Sequence, residues 1–462
     1  MKIIKDYFFN FFINITNYLK IRLCIYISMS LDYKSLSTEV TPMMNAIKHN
    51  KLSSLSLNNT HIIENPYLFN KMVKPQLPIT NQRSSGRCWL FATLNIIRNV
   101  AYNTFLTKYE TKMDDLEFSQ SYVFFWDKLE RYNMNLKYYT MMLEEKNKDE
   151  YLRTFWNDPM GDGGQWDMAK AIVSKYGIVP KSVFPDSMHA KNSYGMNLML
   201  TRQLKNDCLE LTSVSEESRK TLMKSMMDRV YRMLVSFLGE PPRPDTKFSW
   251  TFKSKNKVVT WKNVTPLSLL NKINFNPDDY VSIIHDPREE NPYHKKYNVK
   301  YLGNVNTNGV GWINLPIERL KELTQESIKD NNPVWFGCDV GTEWDRNSGI
   351  HHVGIMDFNN VVGLNVSLTK EKRLKTYLSL PNHAMVINGY HSEEKKVMRW
   401  KIENSWGKDS GSNGYLLMTD SWYSEYVFQI VVNKKYMNNK ELELLDSEPQ
   451  TIEPWDPLGT LA

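Results

Sequence analysis

The sequence predicts an α+β fold in which a helical part precedes a β-rich part, with a cleft where the two meet. Three observations carry this. Residues 88–103 place apolar side chains at 90, 91, 94, 97 and 100, a helical stripe wide enough to be buried. From Val334 onward the chain changes to short apolar runs bounded by turn residues, at 334–338, 384–390, 398–402, 415–418 and 427–432. No internal repeat interrupts that order.

The elements follow in sequence. Residues 1–28 differ from the rest: the stretch 7–28 is aromatic and apolar but broken by Asn10, Asn14, Asn17, Lys20 and Arg22. A bilayer span needs about twenty mostly apolar residues, so no membrane anchor is expected. Lys2 and Lys5 before an apolar run suit a signal peptide, but no small-x-small cleavage site follows. A leader upstream of Met29 is the favoured reading. Residues 29–74 are polar and Ser/Asn-rich, an N-terminal arm with one amphipathic stretch at 40–47. Pro75 and Pro78 keep the next segment extended, and Ser84-Ser85-Gly86 makes a turn into the Cys88 helix. A second, aromatic helix is expected over 118–126 with Ser119 as N-cap, and a third over 166–176 closed by Gly177. Residues 190–239 read as helical, Met-rich and charged.

Composition bounds the function. Apolar content of 41% and charged content of 24% describe an ordinary globular protein, and a net charge of +7 over 462 residues is mild. Cysteines at 24, 88, 208 and 338 are too scattered for a disulfide framework and suit a reducing, cytoplasmic setting. Neither C-x-x-C nor H-E-x-x-H occurs, so no metal or other cofactor is expected. From Lys191 to Lys257, thirteen Lys/Arg face seven Asp/Glu. That excess motivates weak nucleic-acid binding as a side activity, although lysines on amphipathic helices are usually a solvated face.

The chemistry centres on Cys88. A thiol is a good nucleophile only as thiolate, and a helix N-terminus favours the thiolate by placing unpaired N–H dipoles beside it. A free cysteine is more often a small buried hydrophobe, so placement alone decides little. Gln82, six residues upstream, can donate its amide to an oxyanion together with the Cys88 N–H. His383 begins an apolar strand, and twenty-one residues later comes Asn404-Ser405-Trp406-Gly407. A strand hairpin of that length returns Asn404 to His383, where its carbonyl would fix the imidazole tautomer while Trp406 shields the bond. His351, His352 and His391 compete as bases but lack a comparable partner.

Together, Gln82 to Trp89 (QRSSGRCW), His383-Ala384 and Asn404 to Gly407 resemble the papain-like cysteine peptidases. Two departures stand out. Ser85 replaces the first cysteine of that signature, and His383 lies nearly three hundred residues after Cys88, about twice the usual separation of ~130–150. Five motifs narrow the resemblance to the bleomycin hydrolase (aminopeptidase C) branch: Ile79 to Trp89, Phe118 to Trp126, Asp162 to Met168, Val334 to Gly341 and Pro454 to Ala462.

The resemblance implies a helical subdomain bearing the nucleophile (75–189), a mainly helical insertion or hook (190–330) and an antiparallel β-barrel subdomain with His383 and Asn404 (331–435). A C-terminal arm (436–462) would enter the cleft, its Ala462 carboxylate meeting the substrate's amino group. It further implies a homohexamer and a cysteine aminopeptidase of low sequence specificity acting on peptides. Side activities on bleomycin and homocysteine thiolactone would follow. Cys88, His383, Asn404 and Gln82 would be catalytic; Gly163, Gly164, Trp406 and Ala462 would contact substrate, the glycines letting its backbone run along the cleft wall.

Overall fold

The computed structural model describes residues 40–109, 113, 115–254, 257–305, 309–363 and 365–460. The leader therefore lies outside the described residues, as do Leu461 and Ala462. The chain divides into two compact units, Met1–Leu55 and Ser56–Ala462. The first contains the helix Val40–His49, whose last turn carries Lys48 and His49 where cations suit the helix dipole.

In the second unit, the helices of at least eleven residues are α1 (Cys88–Lys108), α2 (Gln120–Met142), α3 (Trp166–Tyr176), α4 (Tyr194–Thr212), α5 (Glu216–Leu238) and α6 (Ile317–Lys329). Helix α1 is buried on nearly every side from Cys88 to Asn99. It packs between α2 and α3 on one side and the sheet on the other. Ser119 caps α2, accepting from the Tyr122 N–H at 3.1 Å. That helix runs sixteen residues past the predicted end, because beyond Trp126 it buries Asp127, Lys128, Arg131 and Asn135. Buried charges hide the apolar stripe by which a helix is read. Gly177 closes α3 at φ +75°, and a Cβ there would meet the Pro266 carbonyl at 2.4 Å.

Numbered likewise, the main-sheet strands of three or more residues are β1 (Tyr280–Ile284), β2 (Lys295–Val299), β3 (Gly311–Asn314), β4 (Val334–Cys338), β5 (His383–Glu393), β6 (Lys396–Glu403), β7 (Tyr415–Thr419), β8 (Val427–Asn433) and β9 (Gln450–Ile452). Their order is β9-β2-β3-β1-β8-β4-β5-β6-β7, continued by Ile350–His351 and Trp344–Asp345, with Lys71–Met72 on β5. Three pairings are parallel, β9·β2, β1·β3 and β7 with Ile350–His351, so the sheet is mixed rather than purely antiparallel.

The stretch 190–330 carries strands as well as helices. Helices fill 194–238, but a hairpin of Phe248–Ser254 with Lys257–Val264 follows, and then β1, β2 and β3 join the main sheet. Strand β1 is buried along its whole length, which favours Tyr280, Val281, Ile283 and Ile284 in a strand despite the helices before them.

Candidate active site

Cys88 is the first residue of α1, preceded by Arg87, which offers no side-chain cap. Leu90 N–H donates to Arg87 O at 3.0 Å, which leaves the Cys88 and Trp89 N–H groups to the thiol. Gly86 makes the approach: its N–H donates to Asp162 Oδ2 at 2.9 Å, and a Cβ there would lie 2.9 Å from the Asp162 Cβ. Burial pushes the Cys88 thiol up to about 11, partly opposed by the backbone N–H groups of Ala384, Trp89 and Cys88 itself.

His383 opens β5 and stands opposite Cys338 of β4. The β5–β6 hairpin turns at Glu394 and Lys395, both with positive φ, and sets Val386 opposite Glu403. Asn404 thus returns to the imidazole, with His383 Nε2 and Asn404 Oδ1 3.0 Å apart. The Ser405 N–H donates to the same Oδ1 at 2.7 Å, which settles the amide's orientation. Nε2–H therefore donates to Asn404, leaving Nδ1 as the basic nitrogen. Burial lowers the imidazole to about 4, opposed by that one hydrogen bond. The Trp406 ring lies 4.8 Å from the imidazole and, with Trp344 at 5.8 Å from Trp406, covers it.

Gln82 is fixed at both ends of its amide. Its Oε1 accepts from the Ser405 hydroxyl at 2.6 Å, and its Nε2 donates to the Ser85 carbonyl at 2.6 Å. One Nε2 proton remains for a ligand. The loop before Cys88 is also stitched to the loop after Asn404. Gln82 N–H donates to Ser405 O at 2.8 Å, and Gly407 N–H donates to Thr80 O at 3.1 Å.

Cys88, Gln82, Gly163, His383 and Trp406 line one cleft of about 790 Å³. Gly164 stands behind it: a Cβ there would fall 2.4 Å from the buried Trp89 indole, so its smallness serves packing. Ala462 is not among the described residues. The competing histidines are engaged elsewhere. His351 is buried with Nε2 3.3 Å from Val340 O, His352 stacks on His61, and His391 lies 3.0 Å from Glu393.

Two positions at the cleft were not singled out from the sequence. Asp162 lines the cleft, taking Lys128 Nζ at 2.9 Å, Asn197 Nδ2 at 2.6 Å and the Ser193 hydroxyl. Burial would raise its carboxyl, but Lys128 and these donors hold it well below the usual carboxylate range. Gln165 donates Nε2 to Leu458 O at 3.2 Å and Thr460 O at 2.9 Å, while Thr460 Oγ donates to Pro381 O at 3.1 Å. The end of the described chain therefore runs between the glycine wall and the segment leading to His383. Both residues lie in the 162–168 motif, but their partners are distant in sequence.

The Peptidase C1-like family model matches residues 30–459. This chain belongs to that family. Bleomycin hydrolase of Gallus gallus is 40% identical over 401 residues, covering 83% of this chain and 86% of that protein. Aminopeptidase C of Lactococcus lactis subsp. cremoris is 36% identical over 432 residues, covering 92% and 96%. Among solved structures, pepw of Lactobacillus rhamnosis superposes with a TM-score of 0.87 at 32% identity, covering 94% of this chain and all of that one. The resemblance carried by the five motifs is the one these matches give.

Proposed function

We propose that the protein is a cysteine aminopeptidase that releases N-terminal residues from peptides of varied sequence. The observation that carries this is Cys88 at an uncapped helix N-terminus sharing a cleft with His383, whose Nε2 is committed to Asn404. Relatives named aminopeptidase C and bleomycin hydrolase support the same reading.

Burial disfavours thiolate and imidazolium separately, so both charges arise together as the proton passes from Sγ to Nδ1. Sγ then attacks the scissile carbonyl, forming the S–C bond, while the Cys88 N–H and Gln82 Nε2 hold the oxyanion. His383 returns its proton to the departing amine as the C–N bond breaks. Water, deprotonated by His383, hydrolyses the thioester and restores the thiol. The C-terminal arm, held by Gln165, would bring the Ala462 carboxylate to the substrate's ammonium and so limit cleavage to one residue. Assembly as a homohexamer, a cytoplasmic setting and hydrolysis of homocysteine thiolactone belong to the same reading.

Fluorogenic amino-acid amides with free and acetylated α-amines test it. Turnover confined to the free amine is expected, and equal rates on both would remove the aminopeptidase assignment. Deleting Leu461 and Ala462 should shift cleavage of peptides toward internal bonds.

A further inference from the structure

On a chain whose net charge is +7, the cleft presents a carboxylate to solvent and, among the described residues, no cation. Two carboxylates, Asp158 and Asp162, face it, and among the described residues its lining contains no lysine or arginine. The two acids differ. Asp162 is buried and neutralised by Lys128. Asp158 is exposed, and no hydrogen bond or ion pair reaches its carboxylate from the described residues.

Asp158 is nevertheless held in place. It opens the turn 158–161, closed by Gly161 N–H on Asp158 O at 3.3 Å. Buried groups of α2 pin that turn: Asn135 Nδ2 donates to Pro159 O at 2.5 Å, and Lys128 Nζ donates to Met160 O at 2.6 Å and Gly161 O at 2.9 Å. A Cβ on Gly161 would lie 2.0 Å from Asp158 Oδ2, so the carboxylate rests directly over that cleft residue. Helix α4 supplies Tyr194, Leu198 and Thr201 to the same cleft, spaced to share one helix face. Tyr194 is 76% exposed. An open aromatic ring, an aliphatic surface and an unneutralised carboxylate together suit a long aliphatic stem ending in a cation.

We propose that Asp158 is a specificity-determining residue that favours lysine or arginine as the N-terminal residue released. The inference rests on the aminopeptidase reading and narrows it. Overall acceptance stays broad, because the carboxylate is solvent-exposed and its attraction is screened.

The test compares kcat/KM for lysine amide and norleucine amide, which share a stem and differ in the charge. The native protein should prefer lysine by about 3- to 10-fold at low salt, with the preference shrinking as salt is added. Asp158→Asn should bring the ratio close to one, and Asp158→Glu should keep most of it. An unchanged ratio in Asp158→Asn, or equal proportional losses on both amides, would overturn the proposal. Normal turnover of norleucine amide without a lysine preference sinks this inference alone. If the native protein cleaves neither amide, the aminopeptidase reading falls and takes the inference with it.

Discussion

Asp162 and His383 line the same cleft and are almost equally buried, at 8% and 5% exposure, yet one holds a fixed charge and the other is kept neutral. The difference lies in their partners. Asp162 meets a lysine, a hydroxyl, an amide and a backbone N–H, so its charge is stabilised whether or not substrate is present. His383 meets one neutral amide, so burial keeps it uncharged. The first arrangement holds the wall; the second leaves a proton free to move.

The largest effect should come from breaking the mobile side. Cys88→Ala or His383→Ala is expected to lower kcat on free-amine amides by about 10⁴–10⁶-fold with little change in melting temperature. Breaking the fixed side should do the reverse. Asp162→Ala leaves Lys128 buried without its anion and should cost about 3–5 kcal/mol in a denaturant titration, with a partial recovery when Lys128→Met is added. Gln82→Ala should lower kcat by about 10²–10³-fold, since on the proposed mechanism the Cys88 N–H would still hold the oxyanion.

The same contrast sets how stability depends on pH. Burial lowers His383 and His351 to about 4 and His285 to about 3, from an ordinary value of 6.5. Between those values the unfolded chain binds more protons, so stability should decline as pH falls from about 6.5 toward 4. Asp162, held below its ordinary value, contributes stability above that value and gives it up only in stronger acid. Melting temperatures measured from pH 7 to pH 4.5 should thus fall through the histidines, and His351→Phe should flatten the curve.

Much of this cleft was legible because its signals are local. Cys88 follows a turn into a buried stripe, Ser119 caps its helix, and the apolar runs that become β4 to β8 are bounded by turn residues. His383 and Asn404 were legible as a pair because one hairpin joins them. What stayed hidden depends on partners far along the chain. Asp162 contacts Lys128 and Asn197, Gln165 contacts Thr460, and Gln82 contacts Ser405, none of which periodicity can announce. Strands β1 to β3 were missed for a related reason: they are short, and a long helical stretch precedes them.

The stitching of residues 80–82 to 405–407 bears on how the protein fluctuates. The two segments lie more than three hundred residues apart, yet the backbone bonds at Gln82 and Gly407 tie them directly together. Nucleophile and base should therefore be exposed in one cooperative opening rather than by separate local fraying. Amide hydrogen exchange at Gln82 and Gly407 would then proceed with a common opening free energy, and an irreversible inhibitor bridging the cleft would slow both to the same extent.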